Sequence, residues 1–121
     1  MDIVLRRVAV GLRVARDVRQ RIVELSAGRP LVIDHTISAV RGWRIGDLVV
    51  GFELARPPAD YVEIEPVDEV PVIVERRLIG LLRRGARVVL GDPIGLDEFS
   101  IRLNHPEDWL DFLDGRPLPA G

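Results

Sequence analysis

Between Ile3 and Ala27 apolar residues return at Val4, Val8, Ala15, Val18, Ile22 and Leu25, with Leu5, Leu12 and Val23 widening the stripe at helical spacing. The pattern predicts one long amphipathic helix, stopped by Gly28 and Pro30. Its apolar arc covers about half the circumference, more than the ~100° a surface helix needs. A helix of that width crosses a whole sheet or meets a second subunit. Gly11 lies inside the arc, where it either permits close backbone approach or is incidental.

Beyond Pro30 the period shortens to two. LVIDHTIS (Leu31 to Ser38) reads as a β-branched strand, RGWRIGD as a turn and LVVGFELA as a second strand. YVEIEPV (Tyr61 to Val67) alternates, with Tyr61, Glu63 and Glu65 on a wet face and Val62 and Ile64 on a dry one. Pro66 and Pro71 put its end near a sheet edge. Pro71 to Arg84 reads as a second helix, ARVVLG as a fourth strand and FSIRL (Phe99 to Leu103) as a fifth. In NHPEDWLDFLDG, Pro106 suits a first helical turn, Glu107 and Asp108 suit its positive end, and Gly115 stops it.

The expected fold is therefore α+β. It is a single domain over residues 1–115, with about five mostly antiparallel strands packed by a long N-terminal helix, a central Arg-rich helix and a short C-terminal helix. Residues 116–121 (RPLPAG) read as a flexible tail. One internal similarity joins LSAGRPLVIDHTI (25–37) to LRRGARVVLGDPI (82–94): each is a helix end, a glycine and a strand. A duplicated half would give this, and so would independent use of one helix-to-strand connection.

Composition narrows the chemistry. At 121 residues and 47% apolar, the chain has material for one core. It has no cysteine, which removes disulfides, thiolate nucleophiles and cysteine zinc sites. Its strong bases are all arginine, so Schiff-base chemistry and a Walker-type phosphate loop, which need a lysine amine, are removed too. Asn104, Gln20, Thr36 and Met1 are each alone of their kind, a scarcity of heat-labile residues that suits a thermophilic source. Arg6, Arg7 and Arg13 interrupt the apolar start, so neither a signal peptide nor a membrane anchor is expected, and the protein is read as cytoplasmic.

A net charge of −2 hides blocks of opposite sign. Tyr61 to Glu75 contains acids and no base, whereas Arg76 to Arg87 contains Arg76, Arg77, Arg83, Arg84 and Arg87 and no acid. On a helix over Val72 to Arg84, Arg76, Arg77, Arg83 and Arg84 gather opposite Val74, Leu78, Leu81 and Leu82, with Arg87 just after it. In the structural reading they face Glu63, Glu65, Asp68 or the acidic C-terminal segment, within one chain or across a subunit contact. The alternative is binding of RNA or a phosphate-containing ligand, without interleaved aromatics for base stacking. The stretch IVERRLIGLLRRGARVVLGDPI also resembles the opening of PUA-type RNA-binding domains, which implies a strand, a short helix and a glycine leading to a further strand. That resemblance covers under a quarter of the chain, and the residues after Ile94 are too few to complete such a domain.

A second candidate is Asp34-His35 at a strand end, joined by Asp92 at the end of the similar unit. A histidine and carboxylates so placed suit acid–base work or a metal-assisted hydrolase. His105 stands apart at a helix start, no HExxH, GxSxG or glycine-rich phosphate loop occurs, and no cofactor is called for. Trp43 and Trp109 read as core or interface anchors. The leading expectation is a non-enzymatic interaction module that self-associates as a homo-oligomer, most simply a dimer, through its wide apolar helix and opposed charge blocks.

Overall fold

Gly11 has φ +74°, which takes the chain out of the right-handed helical region. Around it the backbone N–H groups of Val10, Gly11 and Leu12 donate to the Glu65 carboxylate at 3.3, 2.7 and 3.3 Å. Burial alone would raise the Glu65 pKa, but these N–H groups and its own outweigh it and hold the carboxyl below its ordinary value. Val8 forms a parallel bridge with Ile64. The computed structural model describes residues 7–91 and 98–119, and within them the long N-terminal helix expected from Ile3 to Ala27 is not formed. In its place is an extended segment ending in β1 (Arg13–Val14), followed by α1 (Arg16–Ser26). The helical spacing of Val8, Leu12 and Val14 is real, and all three pack on the core. Their backbone donors, however, are satisfied by Glu65 and by neighbouring strands instead of by a helix.

The rest of the chain runs β2 (Leu31–Val40), β3 (Trp43–Gly51), β4 (Tyr61–Val67), β5 (Val70–Glu75), α2 (Ile79–Arg83), β6 (Ala86–Leu90), β7 (Phe99–Leu103) and α3 (Glu107–Leu113). The result is a small α+β domain with seven strands and three helices among the described residues, where about five strands were expected. The additional strands are β1 and β5. In VPVIVE, Val70, Val72 and Val74 alternate and are buried, so the stretch inserts as a strand between β2 and β4. The central helix expected over Pro71 to Arg84 thus shrinks to a 3-10 turn (Arg76–Leu78) and the five residues of α2. Pro71 precedes the first residue of β5 that pairs with β2, Val72 opposite Leu31.

The sheet orders are β1-β6-β7 and β3-β2-β5-β4. Each half of the chain supplies a strand, a helix and an antiparallel strand pair, β1-α1-β2-β3 and β5-α2-β6-β7. The first strand of each half pairs in parallel with the second strand of the other, β1 with β6 and β5 with β2. The similar segments fall at equivalent places in this exchange over residues 25–34 and 82–91, with Gly28 at φ +79° and Gly85 at φ +110° after their helices. The N-terminal segment joins the two sheets by bridging Ile64 at one end and β6 at the other, and β3 packs against β7. Between them lies one core in which Ile22, Leu31, Ile33, Ile64, Val72 and Leu82 are fully enclosed.

The C-terminal helix forms as expected, and Gly115 follows it at φ +71°. Beyond it Leu118 packs on the core and the Pro119 carbonyl accepts from Arg84 Nη1 at 3.1 Å. Among the described residues no helix is long and apolar enough to cross a membrane.

Candidate functional site

The β2–β3 hairpin turns on Arg41 and Gly42, both at positive φ (50° and 81°), the two-residue geometry that matches the twist of its strands. RGWRIGD was expected to be a turn throughout, but only its first two residues turn. Trp43 onward is strand, in unbroken register from Val40 opposite Trp43 to Val32 opposite Gly51. From Leu31 to His35 every residue is buried; from Thr36 to Val40 every residue is exposed. The distal half is therefore an arm.

The two faces of the arm differ. On the back, Arg44 Nη1 donates to the Leu113 carbonyl at 3.2 Å, and Trp109 Nε1 donates to the Gly46 carbonyl at 3.1 Å. Helix α3 braces that side, with Trp109 stacked on Phe112. On the front, Val40, Trp43 and Ile45 share a face by alternation and are 49%, 75% and 52% exposed. Of the two tryptophans, Trp109 is a packed anchor and Trp43 lies open. Towards the root the same front carries a groove of about 390 Å³ whose lining includes Val32, Val49, Gly51, Phe52 and Glu53. Arg29 closes one end, its guanidinium 5.1 Å from the Phe52 ring centroid and bonded to the Ser26 and Leu25 carbonyls.

The expected arginine cluster is divided among several tasks. Arg76 donates to the Ala59 carbonyl at 3.3 Å and Arg83 to the Ala9 carbonyl at 3.4 Å. Arg77 binds Glu75 through both its backbone N–H and Nε, at 2.8 and 2.7 Å. Arg84 pairs with the buried Asp108 of α3, so one member meets the acidic C-terminal segment as the structural reading required. Glu63 and Asp68 are taken instead by Arg7 and Arg19. Arg87 stands apart in β6, in register with Arg13 on one side and Arg102 on the other.

At the root of the hairpin, Asp34 and His35 lie in a buried polar network. Asp34 Oδ1 accepts from the His35 N–H (2.8 Å) and from Arg56 Nε (2.9 Å), and Oδ2 accepts from the Tyr61 hydroxyl at 2.7 Å. Burial would raise the Asp34 pKa; the bonds from Tyr61, His35 and Arg56 prevail and hold it below the ordinary value. Burial and then Asp34 push the Tyr61 hydroxyl up. Tyr61, expected on the wet face of its strand, is buried because it serves this carboxylate. His35 Nε2 lies 3.5 Å from Glu75 and 3.3 Å from Arg77, its ring meets Phe112 edge-on, and its Nδ1 has no hydrogen-bond partner among the described residues. Burial, opposed by Glu75 and aided by Arg56 and Arg77, lowers its pKa. Asp92 lies outside the described residues. Among the described residues no three His, Asp or Glu side chains are grouped to hold a metal.

Arg56, Tyr61 and Glu75, which complete the network, come from three distant stretches and carry no local motif. An aspartate amid LVIDHTI was the one sign that a buried charge needed partners. The chain matches no protein-family model, no curated protein and no solved structure.

Proposed function

We propose that the chain is a non-enzymatic interaction module that self-associates, and that the contact is the front of the β2–β3 arm docking reciprocally on a second copy. The observation that carries this is Trp43, 75% exposed beside Val40 and Ile45 on the one face of the arm that α3 does not brace. Tryptophan is the side chain with most to gain from burial at a contact, and a clustered apolar face of this kind marks an interaction surface.

A second copy fits this surface better than an unrelated partner for three reasons. The groove on the same front, at about 390 Å³, has room for an indole. The tip of the arm carries Arg41, for which Glu53 of the groove offers a carboxylate. A tip-in-groove contact made twice about a two-fold axis closes on itself. The asymmetry between a buried Asp34, held by three donors and paired with Arg56, and an open apolar arm also favours binding over chemistry.

Sedimentation velocity across the micromolar range tests this. The wild-type chain should run at a multiple of 13.5 kDa, and Trp43→Ser combined with Ile45→Ser should return it to the single-chain mass. A strictly single-chain mass for the wild type at every concentration would contradict the proposal.

A further inference from the structure

The three-stranded sheet carries a feature that the arm does not use. Arg13 is in register with Arg87 across β1 and β6, and Arg87 with Arg102 across β6 and β7. Their inward neighbours Ala86, Val88 and Phe99 are buried, so by alternation the three arginines share the outward face, and all three are exposed. Neighbouring strands lie about 4.8 Å apart, so three guanidinium stems stand side by side within roughly 10 Å. Among the described residues no carboxylate pairs with any of them, whereas Arg56, Arg77 and Arg84 each hold one.

Like charges directly opposite on adjacent strands destabilise a sheet by roughly 0.2–1 kcal/mol. The fold accepts this twice in one row, while nearby acids go elsewhere: Glu63 to Arg7, Asp68 to Arg19, and Glu65 to three backbone N–H groups. A row of one sign, with no carboxylate partner among the described residues, is what a polyanion of regular charge spacing requires. Guanidinium groups add bidentate geometry for phosphate oxygens.

We propose that Arg13, Arg87 and Arg102 bind the phosphodiester backbone of a nucleic acid laid across the three strands, each guanidinium meeting one phosphate. The outward positions beside them are Val89 and Ser100, which offer no ring for a base to stack on. The contact is with the backbone and is independent of base sequence. It stands apart from self-association, because none of its residues lies on the hairpin.

The test is fluorescence anisotropy of the full chain with labelled single-stranded RNA, single-stranded DNA and duplex DNA of equal length and mixed sequence. Log affinity should fall linearly with log salt, with a slope of about −2 to −3 for three phosphates. Arg87→Gln should flatten the slope by about one, and the triple glutamine variant should abolish binding. Arg116→Gln, which removes a pairing with Asp111 and Asp114, should leave the slope unchanged. Equal affinity for all three probes supports a backbone contact alone; preference for one supports it and identifies the backbone. Because the row is self-repelling, Arg87→Gln should also raise the thermal midpoint or leave it unaltered. Absence of binding at low salt, or wild-type binding by the triple variant, overturns the proposal. So does a fall in midpoint or in assembled mass on Arg87→Gln, which would assign the row to folding or subunit contact.

Discussion

The two halves of the β2–β3 hairpin share one register and one β-branched character, yet Leu31 to His35 are wholly buried and Thr36 to Val40 wholly exposed. The difference lies in their neighbours. β5 pairs with β2 only along Leu31 to Ile33, then ends at Glu75, where the chain turns away into the arginine-bearing turn. Past that point β2 has β3 on one side and, among the described residues, no strand on the other. A two-stranded ribbon is marginally stable by itself, so the arm relies on Trp109 and Arg44 at its back and, in our proposal, on a second copy at its front. Where a strand stops having neighbours, the same residue types change from core to exposed surface.

The strongest contrast between the halves is at Asp34. Asp34→Ala should destabilise the fold by about 3–5 kcal/mol, because Arg56 and the Tyr61 hydroxyl lose their shared acceptor in a buried setting. Ser38→Ala, four residues along the same strand, should stay within about 0.5 kcal/mol. Urea unfolding midpoints measure both, and similar values would erase the distinction between root and arm.

Gly46 comes next. A Cβ there would lie 1.9 Å from the Thr36 carbonyl oxygen, so Gly46→Ala must displace one strand from the other. The expected cost is about 1–3 kcal/mol. If the arm docks as proposed, the variant should also lower the assembled mass, which a defect confined to folding would not do.

His35 sharpens the comparison through pH. Its folded pKa lies below the ordinary value of 6.5, chiefly from burial, so as pH falls the unfolded chain takes up the proton first. Stability is full above about pH 6.5 and declines as pH falls from there towards the folded pKa, by at most about 1.4 kcal/mol per pH unit. Asp34, lowered from 3.8, loses its contribution only as pH falls further, below that value. His35→Gln should remove the first decline and leave the second, as read by unfolding midpoints across this range.

Much of this architecture was legible in the residues. The strands at Leu31, Tyr61, Ala86 and Phe99, the C-terminal helix and its glycine stop all followed from period and breaker signals. The first helix was overextended because Val8, Leu12 and Val14 keep helical spacing while extended, and the carboxylate that unwinds them, Glu65, lies far along the chain. The stretch from Pro71 to Glu75 reads as helix because it runs straight into RRLIGLL, although the buried Val70, Val72 and Val74 alternate. The strand, short helix, glycine and strand implied by the PUA-like resemblance is the local order observed there. Asp34 and His35 were legible as unusual residues, but they lie in the middle of β2 and not at a strand end as expected, because β2 runs on into the arm as far as Val40. Their partners Arg56, Tyr61 and Glu75 were not, since only the sheet order brings them together. Trp43 reads as an interface anchor or as core, and its 75% exposure beyond the end of β5 removes the core reading.

The smallest expected effect on the single chain is at Trp43, which touches little within it, so Trp43→Ser should change intrinsic stability by no more than about 0.5 kcal/mol. Its environment reports most directly on self-association through the arm. Trp43 and Trp109 are the two tryptophans; Trp109→Phe leaves Trp43 as the sole tryptophan and keeps a ring on Phe112, and a wild-type assembled mass for this variant shows that the arm survives loss of the Gly46 bond. At high concentration the Trp43 fluorescence should be blue-shifted and shielded from a soluble quencher, and dilution should move it to the red in step with the fall in mass. Emission of a fully hydrated indole at every concentration, above all where the mass shows assembly, would contradict docking through the arm.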